Sequence, residues 1–167
     1  MRLAARRPEL VRSLVLIDTS AGPEPPANLP RYRRLEWVAR WFGTRPVLGR
    51  VQAIMHGGSA RKDPGRAAEL RAWRDHLVRM DPVAMTRAVE GVLTRQSAMP
   101  LLPRIHRPTL VLVGEEDTAT VPARSEEIAA GIPGARLVRI PRAGHMSPID
   151  APDSVTAELR GFLEAQP

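Results

Sequence analysis

Three short apolar runs punctuate the chain: Leu14 to Ile17, Thr109 to Val113, and Arg136 to Ile140. Each is too short for a stable helix and is closed by a turn carrying polar or glycine residues. Runs of this length and character predict strands buried in a parallel sheet. Between and after them apolar positions recur every three to four residues, the period of a helix with one buried stripe. The alternation predicts an α/β fold of three parallel strands with flanking helices. Ligand-facing residues of such sheets lie just past the carboxyl ends of the strands. Asp18, Asp117 and His145 all occupy that kind of position.

The interval from Ala21 to His106 is far longer than an ordinary strand-to-helix connection. It opens with the loop AGPEPPANLP and then turns helical. RYRRLEWVARWFG places Leu35, Val38, Trp41 and Phe42 on one expected face, and GRAAELRAWRDHLVRM does the same with Leu70, Trp73, Leu77 and Met80. DPVAMTRAVEGVLTRQS starts with Asp81 as N-cap and Pro82 at the first helical position. We therefore expect a helical insertion over residues 21–99, with 1–20 and 100–167 forming the sheet-bearing core. Trp37, Trp41 and Trp73 are expected to pack inside the insertion. A helix near Ala123 to Ala130 is expected to end on Gly131 as a left-handed terminator. The last helix, Pro152 to Glu164, should lay Val155, Leu159, Phe162 and Leu163 on the sheet.

Composition narrows the chemistry. The 167 residues include no cysteine, which excludes disulfides, thiolate metal sites and a cysteine nucleophile. The net charge of +7 comes from 25 basic residues, of which Lys62 alone is a lysine. The arginines are spread over the whole chain beside heavy use of Ala and Pro, so coding bias explains them better than nucleic-acid recognition. Their densest cluster is Arg31, Arg33 and Arg34. No apolar run approaches the ~20 residues that cross a bilayer, and MRLAARRPEL lacks the apolar centre and cleavage site of a signal peptide. A soluble cytoplasmic protein, with neither nucleic acid nor membrane as partner, is the expectation.

A base that works on a weak nucleophile at neutral pH is best built from histidine, whose unperturbed pKa is about 6.5. It also needs a carboxylate on its other ring nitrogen to fix the tautomer. His145, in RIPRAGHMSPID, is the candidate base, and Asp117, after the run TLVLVG, is its candidate partner. Asp18, which also ends a strand, is expected to be a turn residue bonded to nearby backbone, with the role of alternative acid for the histidine as the second reading. His56, His76 and His106 show no carboxylate at a telling spacing, and no set of histidines or acids has metal-ligand spacing; no metal or cofactor is expected. Ser59, in HGGSAR, is expected to sit in a glycine-rich loop.

These stretches resemble the α/β-hydrolase superfamily. PTLVLVGEEDTATVP is similar to the family's acid turn, and GARLVRIPRAGHMSPIDAPDSV to its histidine turn and final helix. RLAARRPELVRSLVLIDTSAG is similar to the end of the helix after the nucleophile and the strand that follows it. The resemblance implies that Asp117 and His145 are the acid and base of a catalytic triad, and that the helical insertion is the variable cap. Hydrolysis of an ester, a lactone or a related acyl compound is the implied reaction, with a small ester-like molecule as substrate. The chain departs from the family in one respect. None of Ser13, Ser20, Ser59, Ser97, Ser125, Ser147 and Ser154 lies in the Gly-x-Ser-x-Gly elbow that carries a serine nucleophile. With the elbow absent, serine and aspartate both stay open as the nucleophile. The expectation is that Met1 falls inside the helix following the elbow. The chain is then the C-terminal portion of the fold, inactive alone, and its apolar strand edge pairs with an N-terminal complement chain or a second copy. The alternative is a non-catalytic interaction protein that retains the fold's remains.

Overall fold

The structure is a computed structural model and describes residues 1–166. The three apolar runs form one parallel sheet in the order β1 (Leu14–Ile17), β2 (Thr109–Gly114), β3 (Arg136–Ile140). Leu14 pairs with Thr109 and Leu110 with Arg136, so the carboxyl ends of all three strands reach the same edge of the sheet. β2 is central and buried along its whole length, as its unbroken apolar sequence requires. Its side chains alternate between faces. Leu110 and Leu112 join Ile140, Val155 and Phe162 on one face. Val111 joins Ala4, Ala5, Leu102, Ile105 and Ile128 on the other.

The helices follow in chain order: α1 (Arg2–Arg6), α2 (Leu29–Phe42), α3 (Leu48–Met55), α4 (Gly58–Lys62), α5 (Ala67–Arg79), α6 (Pro82–Leu93), α7 (Pro122–Gly131), α8 (Ser147–Asp150) and α9 (Pro152–Glu164). α6 begins as its sequence predicts, with the Asp81 carboxylate accepting from Ala84 N at 2.7 Å and Pro82 at the first helical position. Such a cap contributes about 1 kcal/mol. α9 buries Val155 and Phe162 but leaves Leu163 exposed, because Leu163 lies most of a quarter turn away from the stripe of Val155, Leu159 and Phe162.

The structure corrects three expectations about local packing. Trp37, Trp41 and Phe42 are 58%, 67% and 65% exposed, so α2 does not bury them within the helical insertion. The inward face of α2 is Tyr32, Leu35, Glu36 and Ala39, which line a cavity, and the two tryptophans project from the opposite side. Gly131 is the last residue of α7 rather than a left-handed terminator, and Gly134 takes the positive φ of 72°. Gly131 serves close packing instead, since a Cβ there would lie 2.7 Å from Leu102 Cδ1. Ser59 is in α4 rather than a loop. Its N–H donates to Glu116 Oε2 at 2.8 Å and its hydroxyl to Glu116 Oε1, so a carboxylate from the β2 turn caps α4.

Candidate active site

Residues beyond β2 and β3 meet because the strands are neighbours. Glu115 N donates to Ile140 O at 3.0 Å and Glu116 N to Ala143 O at 2.8 Å, so the two turns are joined main chain to main chain. Asp117 follows at once and is fully buried in its side chain. Its Oδ1 accepts from Ala119 N and Thr120 N, both at 2.8 Å, while Oδ2 lies 3.0 Å from His145 Nδ1. One carboxylate oxygen is thus anchored by backbone and the other faces the imidazole. An ionised carboxylate only accepts, so Nδ1 carries the proton and Nε2 keeps its lone pair. Thr120 Oγ1 is a weaker second neighbour of Nδ1 at 3.3 Å.

Burial by itself lowers the His145 pKa, but the hydrogen bond to Asp117, the charge of that carboxylate and that of Asp18 outweigh it, leaving the pKa raised. With the folded pKa above the unfolded value, protonated His145 stabilises the fold below about pH 6.5. That contribution disappears as pH rises through the folded pKa. Asp117→Asn is expected to bring the pKa down and to remove this slope from the stability profile. An NMR titration of the His145 ring protons checks it, and an unchanged midpoint would refute the assigned cause.

Asp18 is not a local turn residue. Its Oδ1 accepts from Gly114 N at 2.9 Å, and its Oδ2 accepts from Ser147 N at 3.0 Å and Ser147 Oγ at 2.6 Å. It ends β1 at a positive φ of 47°, a conformation that Asp tolerates better than most residues. From there it ties the end of β2 to the start of α8. Desolvation raises its pKa against these hydrogen bonds.

A second correction concerns His56, which does have a carboxylate partner. His56 Nδ1 lies 2.6 Å from Asp150 Oδ1, both side chains fully buried, and Asp150 Oδ2 accepts from Gly57 N and Gly144 N at 2.8 Å each. The His56 ring stands edge-on to Trp73, with centroids 4.7 Å apart. Met146 N also donates to Met55 O at 2.8 Å. The C-terminal end of α3 is therefore bound to the residues on both sides of His145. Sequence reading misses this pair because the partners are 94 residues apart; the nearest signal is the Gly57-Gly58 step, where backbones approach closely.

His145, Thr120, Ala119 and Asp18 border a cavity of about 440 Å3. Its other walls come from α2, α3, α5 and α6, chiefly apolar side chains such as Leu35, Val51, Ile54, Leu77 and Met85. A polar pair interrupts them, with Arg95 Nη2 3.9 Å from Glu24 Oε2 and Arg95 Nε donating to Gly22 O at 2.9 Å. The size and mostly apolar lining suit a small organic ligand. Among the described residues no serine hydrogen-bonds to His145: Ser20 accepts from Gly22 N, Ser97 from Met99 N, Ser59 binds Glu116 and Ser147 binds Asp18. No group of three or more His, Asp or Glu residues among them is placed to hold a metal ion. None of their helices is long and apolar enough to cross a membrane.

A parallel sheet with an acid and a histidine on adjacent strand ends, beneath an apolar cavity, defines a hydrolase-like architecture. The chain belongs to the alpha/beta hydrolase fold family, whose family model matches residues 1–152. It is similar to an esterase from Thermogutta terrifontis (30% identity, TM-score 0.83, covering 96% of this chain and 58% of that one). It is also similar to the enol-lactonase from Burkholderia xenovorans LB400 (27% identity, TM-score 0.86, covering 97% and 60%). Among curated sequences it is 28% identical to RutD of Pseudomonas savastanoi pv. phaseolicola, named as a candidate carbamate hydrolase, over 99% of this chain and 63% of that protein. The chain thus spans less than two thirds of the length of these relatives.

Proposed function

We propose that the chain carries the acid, the base and the substrate-covering cap of a hydrolase acting on a carboxylic ester, a lactone or a related acyl compound. The observation that carries this reading is the 3.0 Å contact between His145 Nδ1 and Asp117 Oδ2 at the floor of an apolar cavity. The esterase and enol-lactonase names of two structural relatives support the reaction class. Residues 21–99 are the cap, and 1–20 with 100–167 are the core part.

In this mechanism Nε2 of His145 takes the proton and Asp117 holds the Nδ1–H and stabilises the imidazolium that forms. With a serine nucleophile the proton comes from its hydroxyl. With an aspartate nucleophile it comes from the water that cleaves the covalent ester. No serine among the described residues is bonded to His145, and on this reading a separate segment supplies the nucleophile and the oxyanion donors. The half-buried edge of β1 is where that segment pairs.

Hydrolysis of p-nitrophenyl butyrate tests the reading. The chain alone is expected to show no burst. Co-folded with an N-terminal segment bearing a nucleophile elbow, it is expected to turn over, and His145→Ala is expected to lower kcat/KM by about 10²–10⁴-fold. A rapid burst from the chain alone, lost in His145→Ala, would show that the nucleophile is internal. Turnover by the assembled protein that ignores His145→Ala would remove the proposed base.

A further inference from the structure

Arg31 and Arg34 of α2 and Arg50 of α3 surround a second concavity, of about 360 Å3, whose apolar wall is Leu35. Leu35 also lines the main cavity, so the two hollows share one side chain. Among the described residues six arginines pair with an acid, Arg66–Glu69, Arg124–Glu127, Arg136–Glu158 and Arg139–Glu126 among them, and the others do not. Among the described residues, Arg31, Arg34 and Arg50 have no such partner and donate no side-chain hydrogen bond. Coding bias accounts for how many arginines the chain has. It does not by itself place three of them around one hollow whose lining includes no acidic residue.

Like charges gathered this way repel one another, and an anion entering the hollow relieves the repulsion. Guanidinium groups offer forked donors that match the oxygens of a phosphate, and the lining includes no acidic side chain to favour a cation. A phosphate monoester, with a charge of about −1.5 to −2 near neutral pH, balances three guanidinium groups better than a single carboxylate does. We propose that this concavity binds a phosphate group, and that the group is the distal end of the acyl substrate whose body fills the main cavity past Leu35. The second part rests on the hydrolase reading; the first does not.

Inorganic phosphate titrated into the chain at low ionic strength, followed by NMR of the Leu35 methyl and arginine Nε–H signals, is the first arm of the test. Saturable binding is expected, with the Arg34→Gln/Arg50→Gln double variant raising Kd by about tenfold or more. Arg87→Gln, at an exposed position on α6, should leave Kd unchanged. The second arm is cosedimentation with phosphatidylcholine vesicles containing phosphatidic acid. Binding confined to the vesicles, with the same arginine dependence, would identify the phosphate as a lipid headgroup. Absence of saturable binding in both arms, or equal weakening by Arg87→Gln, overturns the proposal. The readout is binding, so a failed ester assay and a failed phosphate titration are separate results.

Discussion

Asp150→Ala is expected to lower the stability of the chain by about 3–5 kcal/mol, the usual loss when one partner of a buried pair is removed. The carboxylate serves His56 Nδ1 at 2.6 Å and the N–H groups of Gly57 and Gly144 at 2.8 Å. Deleting it leaves three donors in a site closed to water, each costing about 1–3 kcal/mol if nothing replaces the acceptor. Asp150→Asn keeps one acceptor oxygen and should recover part of the loss. Urea denaturation of the two variants beside the parent chain measures both effects. A change below about 1 kcal/mol for the alanine variant would mean that water or a shifted backbone satisfies those donors.

Gly144→Ala is expected to be as damaging, for a steric reason. A Cβ at this position would lie 2.3 Å from Gly57 N and 2.7 Å from His56 C, and neither atom can rotate away as a side-chain tip would. On the far side of the same turn, a Cβ at Gly114 would lie 2.3 Å from the carbonyl oxygens of both Ala143 and Gly144. The histidine turn is pressed between two stretches of main chain, so relief requires moving α3 or β2. The expected loss is at or above ~3 kcal/mol, the upper end of the usual range for overpacked cores, because backbone rather than side-chain tips must move. It should come with a fall in the His145 pKa as the imidazole leaves Asp117. Gly161→Ala is the internal comparison: its Cβ would meet nothing within 4 Å, and the change in α9 should stabilise by up to about 1 kcal/mol. Thermal melts of both variants decide between a steric origin and a general intolerance of alanine.

The strands were legible because burial on both faces demands unbroken apolar sequence, and β2 is enclosed at every residue. The stretch bearing Asp117 and His145 was legible because strand ends collect polar groups at turns, and the family's turns have a recognisable form. The clasp between His56 and Asp150 left no such mark. A pair 94 residues apart has no spacing to read, and each partner taken alone is an ordinary polar residue at a helix end. Asp18 escaped for the same reason, its contacts being to Gly114 and Ser147 rather than to its own turn. The misjudged tryptophans have a different cause. Periodicity locates a stripe on α2 but does not say which side faces the cavity, and the small inward Ala39 gives a weaker signal than Trp37 or Trp41.

The main-chain bond from Met146 N to Met55 O joins the residue after His145 to the last turn of α3, whose Val51, Ile54 and Met55 also line the cavity. A displacement of α3 that widens the cavity would therefore be passed directly to the residue that follows His145. On the proposed reading, with His145 as the base, a ligand bulky enough to push α3 outward would shift the imidazole from its line with the reacting atom. Under the proposed function, size discrimination would then act on the turnover number as well as on affinity.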